Sequence, residues 1–192
     1  MEPEEFHDRI WEILDPVDEE AFEPIAAEGA SDEAVRDLEE LVGGTLPRWL
    51  VGLCQSTNGL LITAREEVWP SGKAFDIAPA WTFWRGLVVL GIEHESLPEW
   101  ATIAQAWHRL QEAGVQDVLP LLRIEGDGEC VWGLRIRDGR VTEDLVEVVD
   151  DEVTPIEGTF LDLYELQIKE LVARQREMAD LLAKRERPRR AY

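Results

Sequence analysis

The sequence predicts a single α+β domain in which helices cover an antiparallel β-sheet. Three patterns predict this fold class: helical periodicity in the first third of the 192 residues, short apolar runs between turn signals in the centre, and a long helical pattern at the end. A chain of this length buries roughly 70% of the surface that its unfolded form exposes. We therefore expect a core that needs neither a metal ion nor a disulfide.

Three amphipathic helices are predicted in the first third of the chain. The first spans residues 4–14, where the apolar residues at helical spacing are Phe6, Ile10, Trp11 and Leu14. The second begins after Ser31, a favourable N-cap, and ends at Gly43-Gly44. Its apolar positions are Val35, Leu38 and Leu41. The third begins at Pro47 and is closed by Asn58-Gly59, which tolerate a left-handed backbone.

A meander of antiparallel strands is predicted from short apolar runs. These runs are Leu60-Leu61-Ile62, Leu87–Ile92, Val118–Ile124, Glu129–Ile136 and Arg140–Val149. The Asp138-Gly139 turn between the last two runs is typical of a hairpin. Gly133 interrupts an apolar strand, which predicts a close approach of the neighbouring backbone.

Two later helices complete the predicted fold. Ser96-Leu97-Pro98-Glu99 matches a capping box and predicts a helix that ends near Gly114. Its apolar face is Trp100, Ile103, Ala104, Trp107 and Leu110. The last helix begins at about Thr159 and has a basic end at Lys184–Arg190, which complements the helix dipole. Its apolar stripe is Phe160, Leu163, Leu166, Leu171, Met178, Leu181 and Leu182.

The charge of the chain is strongly acidic and unevenly placed. Nineteen Lys and Arg residues against 41 Asp and Glu residues give a formal net charge of −22, although residues 171–192 alone carry +4. A body this negative repels phosphate backbones, so we expect no direct binding of nucleic acid. It favours a basic protein partner, but a high net charge also serves solubility alone.

Cysteine usage and hydropathy predict a cytoplasmic protein. Cys54 and Cys130 are far apart and belong to no Cys-x-x-Cys pair, which favours two small core residues in a reducing compartment. A membrane-spanning helix needs about 18 to 20 apolar residues, and no apolar run of this chain reaches that length. We expect no membrane association.

The pattern of polar residues predicts no enzyme. The histidines are His7, His94 and His108, and only His94 lies among carboxylates, in Glu93-His94-Glu95. Adjacent residues of an extended chain point to opposite faces, so this triplet is a poor metal site. Gly126-Asp127-Gly128-Glu129 lacks the Lys-Ser of a phosphate loop and the spaced oxygen ligands of a calcium loop. We expect no catalytic residue, metal or cofactor.

Eight tryptophans suggest where a partner would bind, because Trp fills cores and is also enriched at interface hot spots. Trp107 and Trp132 are predicted inside the fold. Trp69, Trp81 and Trp84 stand in an irregular segment. If these three are exposed beside carboxylates, they form an anchor for a basic partner, and if they are buried, they belong to the core.

Acidic residues in two predicted turns are the other candidate partner contacts. They are Asp127, Glu129, Asp150, Asp151 and Glu152. For the first two, the alternative interpretation is an ordinary hairpin turn, and for the run at 150–152 it is a solvated acidic loop.

A segment before the first strand resembles the opening motif of the SUKH superfamily, which includes the yeast Smi/Knr-type cell-wall regulators and many bacterial immunity proteins. The segment is Glu39-Glu40-Leu41-Val42-Gly43-Gly44-Thr45-Leu46-Pro47, followed by Asn58-Gly59. The family pattern is an acidic helix end, a glycine, a Leu-Pro helix start and an Asn-Gly before the first strand. The later strands and the Phe160 helix also follow in the family's order, so the resemblance covers roughly residues 31–172.

The resemblance implies a SUKH-like domain at 31–172, an N-terminal helical extension at 1–30, and a C-terminal helix that continues with a basic tail through 173–192. It also implies a non-enzymatic binding function. An immunity protein of this kind binds and neutralises a cognate toxin domain, often a nuclease, by occluding it. The acidic charge of this chain favours a basic toxin domain. The alternative is a Smi/Knr-like regulatory or scaffold adaptor for host proteins. The oligomeric state stays open.

Overall fold

Seven antiparallel strands of the described residues lie side by side in the order in which the chain forms them. The computed structural model describes residues 1–69, 84–125 and 130–186, with side chains up to residue 180. The strands are β1 (Phe22–Ala27), β2 (Asn58–Ala64), β3 (Gly86–Val89), β4 (Val118–Ile124), β5 (Cys130–Arg137), β6 (Arg140–Val149) and β7 (Glu152–Pro155). The predicted antiparallel meander is confirmed.

Five α-helices accompany the sheet in the described part of the chain, which confirms the α+β class. They are α1 (Pro3–Leu14), α2 (Asp32–Val42), α3 (Arg48–Ser56), α4 (Ile103–Glu112) and α5 (Phe160–Glu186). The ends of α2 form as the sequence predicts. The Ser31 hydroxyl accepts a hydrogen bond from the Ala34 amide at 3.1 Å, and Gly43 ends the helix with a φ of 64°.

Apolar side chains form clusters on both faces of the sheet. On one face, Leu119 of β4 and Leu134 of β5 pair across the strands and belong to the main core. On the opposite face, Val118 packs in a smaller cluster with Val146 and with Leu110 of α4. Successive residues of a strand point to opposite faces, which explains this division.

The first thirty residues share the main core. Phe6 of α1 stacks on Trp49 of α3 with ring centroids 4.2 Å apart, and the Phe160 ring of α5 lies 5.5 Å from that of Trp49. After α1 the chain forms β1, which pairs with β2 at the edge of the sheet. Residues 1–30 therefore contribute a strand as well as the predicted helix.

The helix predicted after Ser96 begins at Ile103 instead. Residues 91 and 102 form a parallel β-bridge, in which the Ile103 amide donates to the Gly91 carbonyl at 2.8 Å. This bridge keeps Thr102 extended, so Thr102 becomes the N-cap and the capping-box prediction is wrong. Trp100 lies in a short 3-10 turn and is 38% exposed rather than on the buried face.

Three local predictions at helix surfaces and ends are also wrong. Leu41 and Leu166 are 39% and 51% exposed, because Val42 and Tyr164 occupy the buried positions of their helices. The third helix ends at Ser56 with Thr57 as its C-cap, and Asn58-Gly59 begin β2 instead of closing the helix.

Candidate functional site

Loops from several parts of the chain meet at one end of the sheet. Because neighbouring strands are antiparallel, β2, β4 and β6 end where β1, β3, β5 and β7 begin. Two backbone hydrogen bonds tie these loops together, from the Arg65 amide to the Ala21 carbonyl and from the Glu125 amide to the Gly86 carbonyl, both at 2.9 Å. We call this end, formed by residues 15–21, 65–67, 84–85, 125 and 150–152, the acidic end.

The acidic end holds ten carboxylates and two arginines. Both arginines are already paired with glutamates. Arg65 lies 3.7 Å from the Glu23 carboxylate, and Arg85 lies 3.7 Å from that of Glu66. Six strand spacings of about 4.8 Å separate β1 from β7, so the acidic end is about 29 Å wide. A positive partner surface would meet negative charge along this whole width.

The four predicted contact residues at the acidic end that the structure describes have different surroundings. Trp84 is 37% exposed just before β3. Asp150 and Asp151 are exposed at the turn between β6 and β7, and exposed Glu152 begins β7. Trp81, Asp127 and Glu129 lie outside the described residues.

Trp69 belongs to the core. Its side chain is only 1% exposed, so of the two interpretations of Trp69 the buried core residue is correct, and Trp69 offers no surface to a partner. Trp107 and Trp132 are each 6% exposed, which confirms that both are inside. The Trp132 indole donates to the Glu147 carboxylate at 2.9 Å, so its polar atom is satisfied.

Asp150 and Asp151 form a tight turn with a left-handed backbone that is strained for aspartate. Their φ angles are 49° and 67°, and the two residues directly join Val149 to its strand partner Glu152. Such a two-residue hairpin prefers Asn-Gly or Asp-Gly, because left-handed backbone is unfavourable for most side chains. The hairpin at Asp138-Gly139 has the favoured pair, with φ angles of 50° and 69°.

Replacement of Asp150-Asp151 by Asn-Gly is expected to stabilise the fold by about 1 kcal/mol, because glycine adopts the left-handed backbone without steric cost. Urea unfolding measures this change. Asp138→Asn is the matched control at a turn that already has its glycine, and it should change stability by less than about 0.5 kcal/mol. Equal effects of the two replacements would show that the Asp150-Asp151 turn stores no strain.

The same turn borders a groove beneath α4. The groove has a volume of about 330 Å³ and lies between α4 and the strands β5 and β6. Val131 and Val148 provide apolar surface, while Arg109, Arg123, Asp150 and Asp151 contribute charge of both signs. The carboxylates of the turn therefore face a concave surface that can receive a side chain of a partner.

His7, His94 and Cys54 have structural surroundings. His7 Nε2 lies 3.0 Å from the Thr57 hydroxyl, and His94 Nδ1 lies 2.6 Å from that of Ser96. Burial raises the pKa of the Cys54 thiol to about 12, which keeps it protonated and unreactive at neutral pH. Within the described ranges, no group of three or more His, Cys, Asp or Glu residues is placed to hold a metal ion.

Besides Trp100, the sequence interpretation missed the exposed aromatic residue Trp11. It is 36% exposed, although its spacing placed it in the buried stripe of α1. Ile13 is buried instead, and with Phe6, Ile10 and Leu14 it completes the face of α1 that packs on the core. Trp11 lies five residues after Phe6, which rotates it about 140° from that residue on a helix of 100° per residue. This rotation was the signal in the sequence that could have predicted the exposure of Trp11.

Comparison with known proteins gives no identification. No protein-family model matches the chain, and no curated protein is detectably similar to it. In the part of the chain that the structure describes, no helix is both long enough and apolar enough to cross a membrane. The α+β fold is established by the structure, and membership of the SUKH superfamily stays a prediction.

Proposed function

We propose that this protein is a non-enzymatic binding module that recognises a basic protein partner through the acidic end, as an immunity protein neutralises a toxin domain. One observation carries the proposal. Ten carboxylates line a single end of the sheet, and the two arginines there are already paired with glutamates. The resemblance to the SUKH superfamily supports the immunity role.

Electrostatics gives this arrangement a mechanism. A surface of one sign attracts an oppositely charged protein over roughly a Debye length, about 8 Å at physiological salt, and accelerates its association. Carboxylates also present the negative charge that a nuclease cleft recognises in phosphate. The bound module would then block the cleft sterically, with Trp84 as an aromatic contact.

Recovery of the tagged protein from its native lysate at low and high salt tests the proposal first. We expect a basic protein to co-purify with it at low salt and to dissociate from it at high salt. Recovery of the protein alone at low salt would contradict the proposal, and so would a companion that is acidic or unaffected by salt.

Charge removal at the acidic end then tests the surface. Asp18→Asn, Asp150→Asn and Asp151→Asn together should slow association with the recovered partner about tenfold at low salt, and the loss should shrink at high salt. Association kinetics at several salt concentrations measure the effect.

The matched control removes three exposed charges from α2, which lies away from the acidic end. It consists of Glu33→Gln, Asp37→Asn and Glu40→Gln. We expect this control to change the association rate less than twofold. Equal slowing by both triple variants would assign the effect to overall net charge and would contradict a role of the acidic end.

The adaptor is the second candidate function, and α5 favours it. This helix has 27 residues, about 40 Å at 1.5 Å per residue, and continues beyond the core residue Met178. A helix of this length can provide a docking surface for a larger assembly. Stable recovery with host or structural proteins at high salt would favour the adaptor over the toxin inhibitor.

A further inference from the structure

We infer that a hollow beside Trp11 receives a single lysine or arginine side chain of the partner. The hollow, about 190 Å³ in volume, lies between the C-terminal half of α1 and the edge strand β1, next to the acidic end. We call it the Trp11 hollow. The inference rests on the proposed function and specifies which group of the partner is the anchor.

The shape of the Trp11 hollow suits a long basic side chain. Its floor is apolar, with Leu14, Phe22 and Ile62 all nine-tenths or more buried. Lysine and arginine side chains place their methylene stems on apolar surface and keep the charged head at the rim. A floor of this kind beneath a charged rim therefore matches both parts of such a side chain.

The rim of the Trp11 hollow is negative, and none of its described lining residues is a lysine or an arginine. Arg65 lies nearby, but its Nε donates to the Glu19 backbone carbonyl at 3.1 Å rather than to a rim carboxylate. Asp15, Asp18 and Glu19 line the rim, and none of these three carboxylates forms a salt bridge with another residue that the structure describes. One oxygen of Asp18 accepts a hydrogen bond from the Glu20 amide at 2.9 Å, which leaves its other oxygen for a partner. The rim is thus complementary to one guanidinium or ammonium group.

The helix dipole of α1 strengthens the negative potential at the rim. Asp15 is the C-cap of α1, and the last turn of this helix contains no basic residue. The C-terminal end of a helix carries a partial negative charge and favours a cation. A basic side chain of the partner would therefore relieve repulsion among the carboxylates and also between Asp15 and the helix end.

Trp11 is held in place before any partner arrives. Its indole N–H donates to His7 Nε2 at 3.2 Å. His7 Nε2 in turn lies 3.0 Å from the Thr57 hydroxyl oxygen. A fixed ring loses little conformational freedom on binding, and tryptophan is the best aromatic partner of a cation. Trp11 can therefore cover the side chain that enters the hollow.

The test follows the Trp11 indole signal of the full-length, ¹⁵N-labelled protein by NMR. Trp11→Phe assigns this signal among those of the eight tryptophans. The probes are the peptides Gly-Arg-Gly and Gly-Lys-Gly, and the control probe contains citrulline, which keeps the shape of arginine without its charge. We expect saturable shifts of the Trp11 signal with both basic peptides and at least tenfold weaker binding of the citrulline peptide.

A matched pair of variants locates the binding. Asp15→Asn, Asp18→Asn and Glu19→Gln together should weaken the arginine peptide about tenfold. The α2 control of Glu33→Gln, Asp37→Asn and Glu40→Gln should change its affinity less than twofold. Unchanged signals of the other tryptophans show that each variant is folded.

Three results would overturn the inference. The first is no saturable shift, and the second is equal binding of the citrulline peptide. The third is a shift of the Trp11 signal without probe in the full-length variant Arg187→Gln, Arg189→Gln and Arg190→Gln, because the occupant would then be the basic segment of the chain itself.

The recovered partner separates this inference from the proposed function. If Trp11→Ala leaves the affinity for a salt-sensitive basic partner unchanged, the anchor is wrong and the proposed function stands. If the peptides bind as expected and no basic partner is recovered, the hollow stands and the proposed function fails.

Discussion

The Gly133→Ala protein is expected to lose about 3 kcal/mol of unfolding free energy, at the upper end of the usual cost of overpacking. A Cβ atom on Gly133 would lie 2.1 Å from the Leu119 carbonyl oxygen and 2.9 Å from a methyl carbon of Val118. The first of these is backbone of the neighbouring strand β4, which cannot move away without breaking the pairing of β4 with β5. The new methyl group therefore forces the two central strands apart.

Urea unfolding of Gly133→Ala and of Gly44→Ala measures the effect and its control. Gly44 is also buried, but the nearest atom to a Cβ built there is 3.4 Å away, an ordinary contact distance. We expect Gly44→Ala to cost less than about 1 kcal/mol. Similar losses in both variants would show that the contact with the Leu119 carbonyl is not the cause.

The central strands could be predicted from the sequence because burial dictates their composition. β4 and β6 occur at the predicted bounds, and the close backbone approach at Gly133 is confirmed. The edge strands β1 and β7 could not be predicted in this way. Their sequences, Phe-Glu-Pro-Ile-Ala-Ala and Glu-Val-Thr-Pro, alternate poorly, and each forms because the adjacent strand offers its hydrogen-bonding edge.

The start of α4 depended on a contact that no local pattern contains. Ser96 and Glu99 form a good capping signal by themselves, but the bridge between Gly91 and Thr102 joins residues eleven positions apart. Tertiary hydrogen bonds of this kind override local propensity. Trp100, predicted on the buried face of that helix, is exposed for the same reason.

The candidate site was predictable in its composition and only partly in its location. The acidic run at 150–152 and Trp84 stand out in the sequence, and a meander places alternate turns at the same end of a sheet. The contribution of residues 15–21 depends on β1, which the sequence did not reveal. Without β1, Trp11 had no neighbour with which to form a hollow.

Asn58→Ala is expected to cost about 3 kcal/mol, because it leaves two buried backbone groups without partners at about 1 to 3 kcal/mol each. The Asn58 side chain is fully buried. Its amide nitrogen donates to the Ile92 carbonyl at 2.9 Å, and its oxygen accepts from the Ile92 amide at 2.7 Å. Urea unfolding measures the loss, and a loss below about 1 kcal/mol would show that water satisfies Ile92 instead.

Asn58→Asp separates the hydrogen bonds from the packing, because the two side chains have the same shape. An ionised carboxylate keeps the acceptor for the Ile92 amide but loses the donor and buries a charge. Burial raises the pKa of such a carboxyl above its unfolded value, so stability is retained below the unfolded pKa, about 4, and is lost as the pH rises through the folded pKa. This variant should therefore be destabilised less, relative to the original protein, at pH 4 than at pH 7.

If Asn58→Asp is destabilised less at pH 4 than at pH 7, Asn58 holds the Ile92 backbone through its side chain. The interpretation of Asn-Gly as a helix stop does not include this role. The segment clamped by Asn58 includes Gly91, whose bridge to Thr102 sets the start of α4. Asn58 thus connects the beginning of β2 to the position of a helix more than forty residues later. The Asn of the Asn-Gly motif is then needed for its amide side chain, and the conformational freedom that turns require is supplied by Gly59, whose φ is 73°.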